Sequence, residues 1–110
     1  MKGAWVTWAQ IGIGQLIYAL YVPNHTAPIG FVWGHSQGEQ FCTSGSFVQP
    51  WARRFGVRSR INNEIFTHFA VITTVSGSKE GGKQFLKASG YRWSKPMRCF
   101  YLERPQQSRS

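Results

Sequence analysis

A basic turn between an apolar stretch and an amphipathic segment holds the residues best suited to chemistry in this sequence. It follows Val48 and carries several arginines around one glycine, Gly56. Apolar residues then recur every fourth position, which predicts a helix over Phe55–Phe69. The first N–H groups of a helix lack partners and attract phosphate, and a glycine lets an anion approach the backbone. The stretch therefore predicts a phosphate site, with an ordinary connection carrying solvated arginines as the alternative.

This stretch resembles the acyl-CoA-binding motif of the GNAT superfamily of N-acyltransferases, V-x-P-x-x-R-G-x-G-[VI]-G followed by a helix. The positions that match in register are Val48, Pro50, Arg53, Gly56 and Val57. The loop pattern [QR]-x-x-G-x-[GA] falls on Arg53–Arg58, where Arg58 departs from the usual small residue. A second segment, Gln84–Tyr91, resembles the family signature f-Y-e-k-x-G-F.

The resemblance implies that acetyl-CoA is a co-substrate whose pyrophosphate lies on the N–H groups of Arg54, Gly56 and Val57. Arg58 would either clamp a phosphate or fill the space that a small residue leaves open. The residues implied to bind the cofactor are Val48, Arg53, Arg54, Phe55, Gly56, Val57 and Arg58. The resemblance also implies that a backbone N–H polarises the thioester carbonyl, and the residues implied are Ser46, Phe47 and Val48.

The residues that transfer protons in this family are missing from their expected positions. The usual glutamate base would fall near Cys42, and the usual tyrosine acid falls on Leu86. His35 is the reserve base, because its ordinary pKa suits proton transfer near neutrality; a strand-end histidine without a chemical task is the alternative. Tyr91 stands where the family packs a phenylalanine in the core. An enzyme with these residues should therefore be slow.

Strand and helix patterns alternate along the chain in the order of a mixed α/β fold. Strands are expected at 5–13, 16–22, 29–36, 39–48, 70–75, 91–93 and 97–103, and helices at 55–69 and 78–89. The short, almost wholly apolar strand at 70–75 predicts parallel pairing buried on both faces. This order is similar to the GNAT fold without the helical pair between its first two strands. We expect one domain, 1–103, and a polar tail, 104–110.

The amino-acid composition predicts an anionic binding partner and a reducing compartment. Thirteen lysines and arginines face four acids, and the net charge of +9 favours CoA phosphates, nucleic acid or an acidic protein surface. The absence of aspartate excludes a Ser-His-Asp triad, although a glutamate could replace it. Cys42 and Cys99 lack metal-ligand spacing, so no metal site is expected, and a single disulfide stays open.

The uncharged run Ala4–Val22 is long enough to cross a membrane. Its glycines, glutamines and threonine fit two strands and a turn better, so no membrane partner is expected and a cytoplasmic location is favoured.

These observations predict an acetyl-CoA-dependent N-acetyltransferase acting on an amine or a protein lysine, with enzymatic activity itself left open. The first alternative is a non-catalytic GNAT-like phage protein with a role in virion assembly, in the host cytoplasm or the virion. The second is a nucleic-acid-binding module, because basic residues and aromatics interleave along the chain. A homodimer is also left open.

Overall fold

A seven-stranded mixed sheet organises residues 2–75 and 80–105, which the computed structural model describes. The strand order is β1-β2-β3-β4-β5-β7-β6. The strands are β1 (Trp5–Gly12), β2 (Gln15–Tyr21), β3 (Gly30–Gln37), β4 (Gln40–Val48), β5 (Val71–Thr74), β6 (Arg92–Ser94) and β7 (Cys99–Glu103). The helices are α1 (Val57–Ile65) and α2 (Glu80–Ala88), and a short 3-10 turn lies at Pro50–Ala52. This arrangement confirms the predicted mixed α/β fold.

The run Ala4–Val22 forms an antiparallel hairpin, as the strand interpretation predicted. Its strands pair from Trp5 opposite Tyr21 onwards. Ile13 and Gly14 make the turn, and Gly14 adopts a φ of 67°, which favours glycine. So short a turn leaves no room for helices between the first two strands. No helix within the described ranges is long and apolar enough to cross a membrane.

Helix α1 is shorter at both ends than the predicted Phe55–Phe69. Gly56 precedes it in the left-handed conformation, with a φ of 69°, so the chain cannot already be helical there. Phe66 caps its C-terminus, and the backbone turns away towards β5. Phe69 lies beyond the end of α1, but it keeps the apolar spacing of the helix because its side chain packs in the core against Phe41.

The core lies between α1 and one face of the sheet. Val57, Ile61 and Ile65 project from successive turns of α1 and are fully buried. Tyr18, Leu20 and Val32 supply the fully buried residues of β2 and β3. Tyr18 also bonds through its hydroxyl to His68 Nδ1 at 3.1 Å. Burial raises the pKa of Tyr18 to about 12, with a smaller effect from Glu64.

Strands β4 and β5 pair in parallel over only four residues. The pairs run from Gln40 opposite Val71 to Thr43 opposite Thr74. Beyond Thr74 β5 ends, whereas β4 continues to Val48. The predicted parallel crossover is confirmed, and among the described residues no strand pairs with the second half of β4 on this side.

Helix α2 ends before Gly90, the residue that follows the predicted helix 78–89. Gly90 has a φ of 93°, and its N–H donates to the Lys87 carbonyl at 3.1 Å. The N–H of Tyr91 donates to the Leu86 carbonyl at 2.9 Å, which completes a Schellman motif. Residues 78 and 79, with which the predicted helix begins, lie outside the described residues.

The segment after β7 stays attached to the fold for at least one residue. The Arg104 N–H donates to the Ala70 carbonyl at 2.8 Å, and its guanidinium donates to the Phe69 carbonyl at 2.9 Å. Residues 106–110 of the predicted tail lie outside the described residues.

We expect Gly30→Ala to lower the free energy of unfolding by roughly 1–3 kcal/mol, the range for overpacking a core. A Cβ at Gly30 would lie 2.6 Å from Cγ1 of Val57, the first residue of α1. Gly12→Ala is the matched control, because its Cβ would meet only the flexible end of Gln15, at 3.3 Å. Urea denaturation measures both variants, and equal losses would contradict this packing.

Candidate functional site

The separation of β4 from β5 opens a cleft through the sheet. Just before it opens, β4 carries a bulge, because Trp33 pairs with Gly45 while Gly34 pairs with Thr43. Ser44 is therefore an extra residue, which bends the strand and strengthens its twist. The bulge marks the point where β4 leaves its neighbour.

Hydrogen-bond alternation decides which backbone groups of β4 face the cleft. The Gln49 N–H donates to the Ile29 carbonyl at 2.8 Å, so this pair is hydrogen-bonded. Bonded and non-bonded pairs alternate in an antiparallel ladder. The N–H of Phe47 therefore points towards β3, whereas the N–H groups of Ser46 and Val48 point into the cleft.

A first cavity lies where the cleft meets the start of α1 and has a volume of about 610 Å³. Ser46–Val48 form its wall on β4, and Phe66, Phe85 and Leu102 give it an apolar side. At its mouth lies Gly56, where an added Cβ would meet nothing within 4 Å. The cavity therefore combines an apolar channel with a helix start that is open to an anion.

The predicted loop residues divide between the cavity wall and the outer surface. Five of the seven predicted cofactor-binding residues line the cavity, and they are Val48, Arg53, Gly56, Val57 and Arg58. Arg54 and Phe55 are exposed and lie outside its wall. Arg53 folds back so that its Nε donates to the Val48 carbonyl at 3.3 Å.

The start of α1 offers uncapped backbone donors. No side chain caps the helix at Gly56. Among the described residues, none accepts a hydrogen bond from the N–H of Arg54, Gly56 or Val57. These are the three donors that the sequence assigned to a pyrophosphate.

The second cavity, of about 630 Å³, lies deeper in the cleft, at the bulge. Thr43–Ser46 line it on one side, and Thr73–Val75 line it on the other. His35, Cys42 and Cys99 complete the polar part, and Leu86 is an apolar wall. The residues known to line the two cavities include no carboxylate.

Arg58 stands between the two cavities and lines both. From the first turn of α1, its Nη1 donates to Ser46 Oγ at 3.0 Å. Its Nε donates to Asn62 Oδ1 at 3.4 Å, and its Nη2 donates to the Tyr91 hydroxyl at 3.5 Å. All three partners are uncharged. Arg58 thus spans the cleft between the two cavities, and its role as a phosphate clamp or as a filler of space stays a prediction.

The residues considered for proton transfer differ in their burial and in their position relative to the second cavity. His35 is exposed on β3, opposite Cys42, and lines the second cavity. Leu86 is buried in the wall of that cavity and has no proton to give. Tyr91 is buried in the core, as its place in the family implies, yet its hydroxyl points at Arg58.

The two cysteines are free thiols that share the second cavity. Burial raises the pKa of Cys99, and the neighbouring Cys42 raises it further. The Cys99 thiol is therefore held in its protonated form, which is unsuited to nucleophilic attack. Within the described part of the chain, no group of three possible ligands could hold a metal ion.

Sequence reasoning missed two polar residues of the cleft. Asn62 is 5% exposed and bonds to both Arg58 and Tyr91. Thr43 Oγ1 is buried, and among the described residues it has no hydrogen-bond partner. An asparagine four residues after an arginine on a helix could have indicated the first contact. Nothing in the sequence indicates the second, because it depends on the bulge.

A split between parallel strands, followed by a glycine-led helix start, defines the class of fold as that of GNAT acetyltransferases, and solved structures agree. An acetyltransferase of the GNAT family from Staphylococcus aureus Mu50 matches with a TM-score of 0.64 at 14% identity, over 82% of this chain and 68% of its own. The ribosomal-protein-S18-alanine N-acetyltransferase from Escherichia coli matches with a TM-score of 0.57 at 14% identity, over 76% of this chain and 57% of its own. A cAMP-binding acyltransferase from Mycobacterium smegmatis matches with a TM-score of 0.60 at 7% identity, over 84% of this chain and 32% of its own.

These likenesses confirm the GNAT-like fold that the motifs implied. No protein-family model matches the sequence, and no curated protein matches it.

We expect Arg58→Gln to change the free energy of unfolding by less than about 1 kcal/mol. Its hydrogen bonds go to neutral groups, and what they contribute is offset by the cost of half-burying a charge. Ile61→Ala, one turn along α1, is the control and should cost roughly 2–5 kcal/mol, because Ile61 is fully buried. Urea denaturation compares them, and a similar loss in both would make Arg58 a structural residue.

Proposed function

We propose that this protein is an acetyl-CoA-dependent N-acyltransferase that acts slowly on an amine. The observation that carries the proposal is the cleft between β4 and β5, which leads from an uncapped helix start to the N–H groups of Ser46 and Val48 that point into it. The fold is shared with acetyltransferases, and acyl-CoA binding and acyl transfer are the general activities associated with it. The residues of this cleft supply the specific argument.

The cofactor would lie along the first cavity. Its pyrophosphate would accept hydrogen bonds from the N–H groups of Arg54, Gly56 and Val57, with Arg53 and Arg54 adding positive charge. Its pantetheine arm would follow the exposed edge of β4 towards the bulge. Because Arg58 now donates to Ser46, its guanidinium must release this hydrogen bond when the arm enters.

The backbone of β4 would polarise the thioester. The N–H of Ser46 points into the cleft between the two cavities, so it suits a developing oxyanion there, with Val48 one step nearer the loop. Phe47 does not suit this role, since its N–H faces β3. The amine nitrogen forms the amide bond, the carbon–sulfur bond breaks, and the proton that the amine loses can return to the CoA thiolate.

Proton transfer is the weak step in this scheme. General acid and base residues typically contribute about 10²–10⁴-fold each, and neither family residue is present. His35 lies at the second cavity without a hydrogen-bonded orienting partner among the described residues, so we assign it no more than a minor part. Turnover would depend on orientation and on an amine that arrives already neutral.

Calorimetric titration with acetyl-CoA should show binding that Gly56→Trp abolishes, because the indole would fill the open mouth of the first cavity. Gly38→Trp is the matched control. Gly38 also has a positive φ, of 61°, and also has no neighbour within 4 Å of an added Cβ, but it lies in the β3–β4 turn. No heat with millimolar acetyl-CoA, or equal binding by both variants, would contradict the proposed cofactor site.

Acetylation of an amine should become faster as the pH rises, because more of the acceptor is then neutral. His35→Ala should leave the rate within about twofold of the wild type, with Gly56→Trp as the inactive reference. A thiol-release assay from pH 6 to 9 measures both effects. A large loss in His35→Ala with unchanged affinity for acetyl-CoA would show that His35 is the base. Equal trace rates in wild type and Gly56→Trp would mean that the cleft binds without catalysing.

A further inference from the structure

The second cavity has an unusual set of polar groups for a site that receives an amine. Arg58 reaches into it from α1, and the known lining residues include no carboxylate. A cationic amine gains nothing from such a wall, and the chain as a whole carries a net charge of +9. The electrostatics of the cavity favour an anionic group.

The guanidinium of Arg58 is held in place without being neutralised. Two of its partners, Asn62 and Tyr91, are 5% and 4% exposed, so they form a fixed support behind it. Ser46, the third partner, is exposed and can exchange its hydrogen bond for one to a ligand. Arginine in this setting suits a planar anion, above all a carboxylate, which it can bind with two hydrogen bonds.

An independent observation comes from Thr43 on β4. Thr43 Oγ1 is buried at the second cavity, and among the described residues it has no partner. A buried hydroxyl without a hydrogen bond is costly, so such a group calls for a ligand or water to complete it. Because this oxygen is closed off from the cavity in the structure, it can donate to the same anion as Arg58 once the threonine side chain rotates about χ1.

We propose that the second cavity binds a carboxylate of the substrate, through the Arg58 guanidinium with a further hydrogen bond from Thr43. The inference rests on the proposed acyl-transfer function, and it names the substrate class. The carboxylate can belong either to the acyl group, as in a dicarboxylic acyl-CoA, or to the acceptor, as in an amino acid. Both sources present the same chemistry to this wall.

Calorimetry with two matched pairs of ligands separates the sources. Succinyl-CoA and butyryl-CoA have the same chain, with a carboxylate in place of the terminal methyl group in the former. Alanine and alaninamide, titrated into the CoA-saturated protein, differ in the carboxylate of the acceptor. We expect wild type to prefer the charged member of one pair by about tenfold or more, as expected for a charged hydrogen bond.

Three variants test whether residues of the second cavity cause the preference for the charged ligand. Arg58→Gln should reduce it to less than twofold, whereas Arg54→Gln, which removes the same charge from the outer loop, should keep it. Thr43→Val should reduce it several-fold without lowering the urea midpoint, because the lost hydroxyl has no partner within the described fold. A preference in the first pair identifies the acyl group as the source, and one in the second pair identifies the acceptor.

The opposing outcomes are distinct from failure of the proposed function. Acetyl-CoA binding with no charge preference in either pair would overturn the carboxylate site and leave the acyl-CoA site standing. A preference that survives Arg58→Gln would overturn the assignment to this arginine. If no CoA ester binds, the proposed function and this inference fall together.

Discussion

The parallel pairing of β4 and β5 stops after Thr43 and Thr74, and the rest of the structure depends on that limit. If β5 were longer, the sheet would close and β4 would bury its outer N–H groups in an ordinary ladder. Because β5 ends early, those N–H groups of β4 face a cleft. Helix α1 begins beside this cleft. The bulge at Ser44 adds the bend that carries β4 away from β5. One short strand thus creates both the channel and the hydrogen-bond donors within it.

Arg58 changes the character of this cleft more than any other residue does. A small side chain there would leave one continuous channel from the helix start to the bulge. The arginine divides it into two cavities of similar size and places a positive charge at their boundary. The uncharged side chains of Asn62 and Tyr91 accept hydrogen bonds from the guanidinium and keep it in this position. The same departure from the family motif therefore obstructs the channel and places a positive charge within it.

The hairpin at the start of the chain leaves part of the sheet uncovered. The helical pair that the family resemblance leads one to expect is replaced by the turn at Gly14. Trp33 and Phe47 are 38% and 41% exposed on the face opposite α1, and Trp5 stacks on Tyr21 nearby. This face borders the second cavity through His35 on β3. Aromatic side chains on this face are consequently exposed near the second cavity.

The sequence by itself determined the order of elements, the parallel crossover and the place of Gly56 in the turn that leads into α1. Those features depend on local signals, because apolar periodicity and the left-handed backbone are properties of short segments. Tertiary structure alone decided where α1 stops, since Phe69 keeps the helical spacing but packs outside the helix against Phe41. It also decided that the N–H of Ser46 faces the cleft, that Thr43 is buried there and that Arg58 spans it. These outcomes depend on strand register and on a single extra residue in β4, which join positions distant in the chain and leave no periodic trace in the sequence.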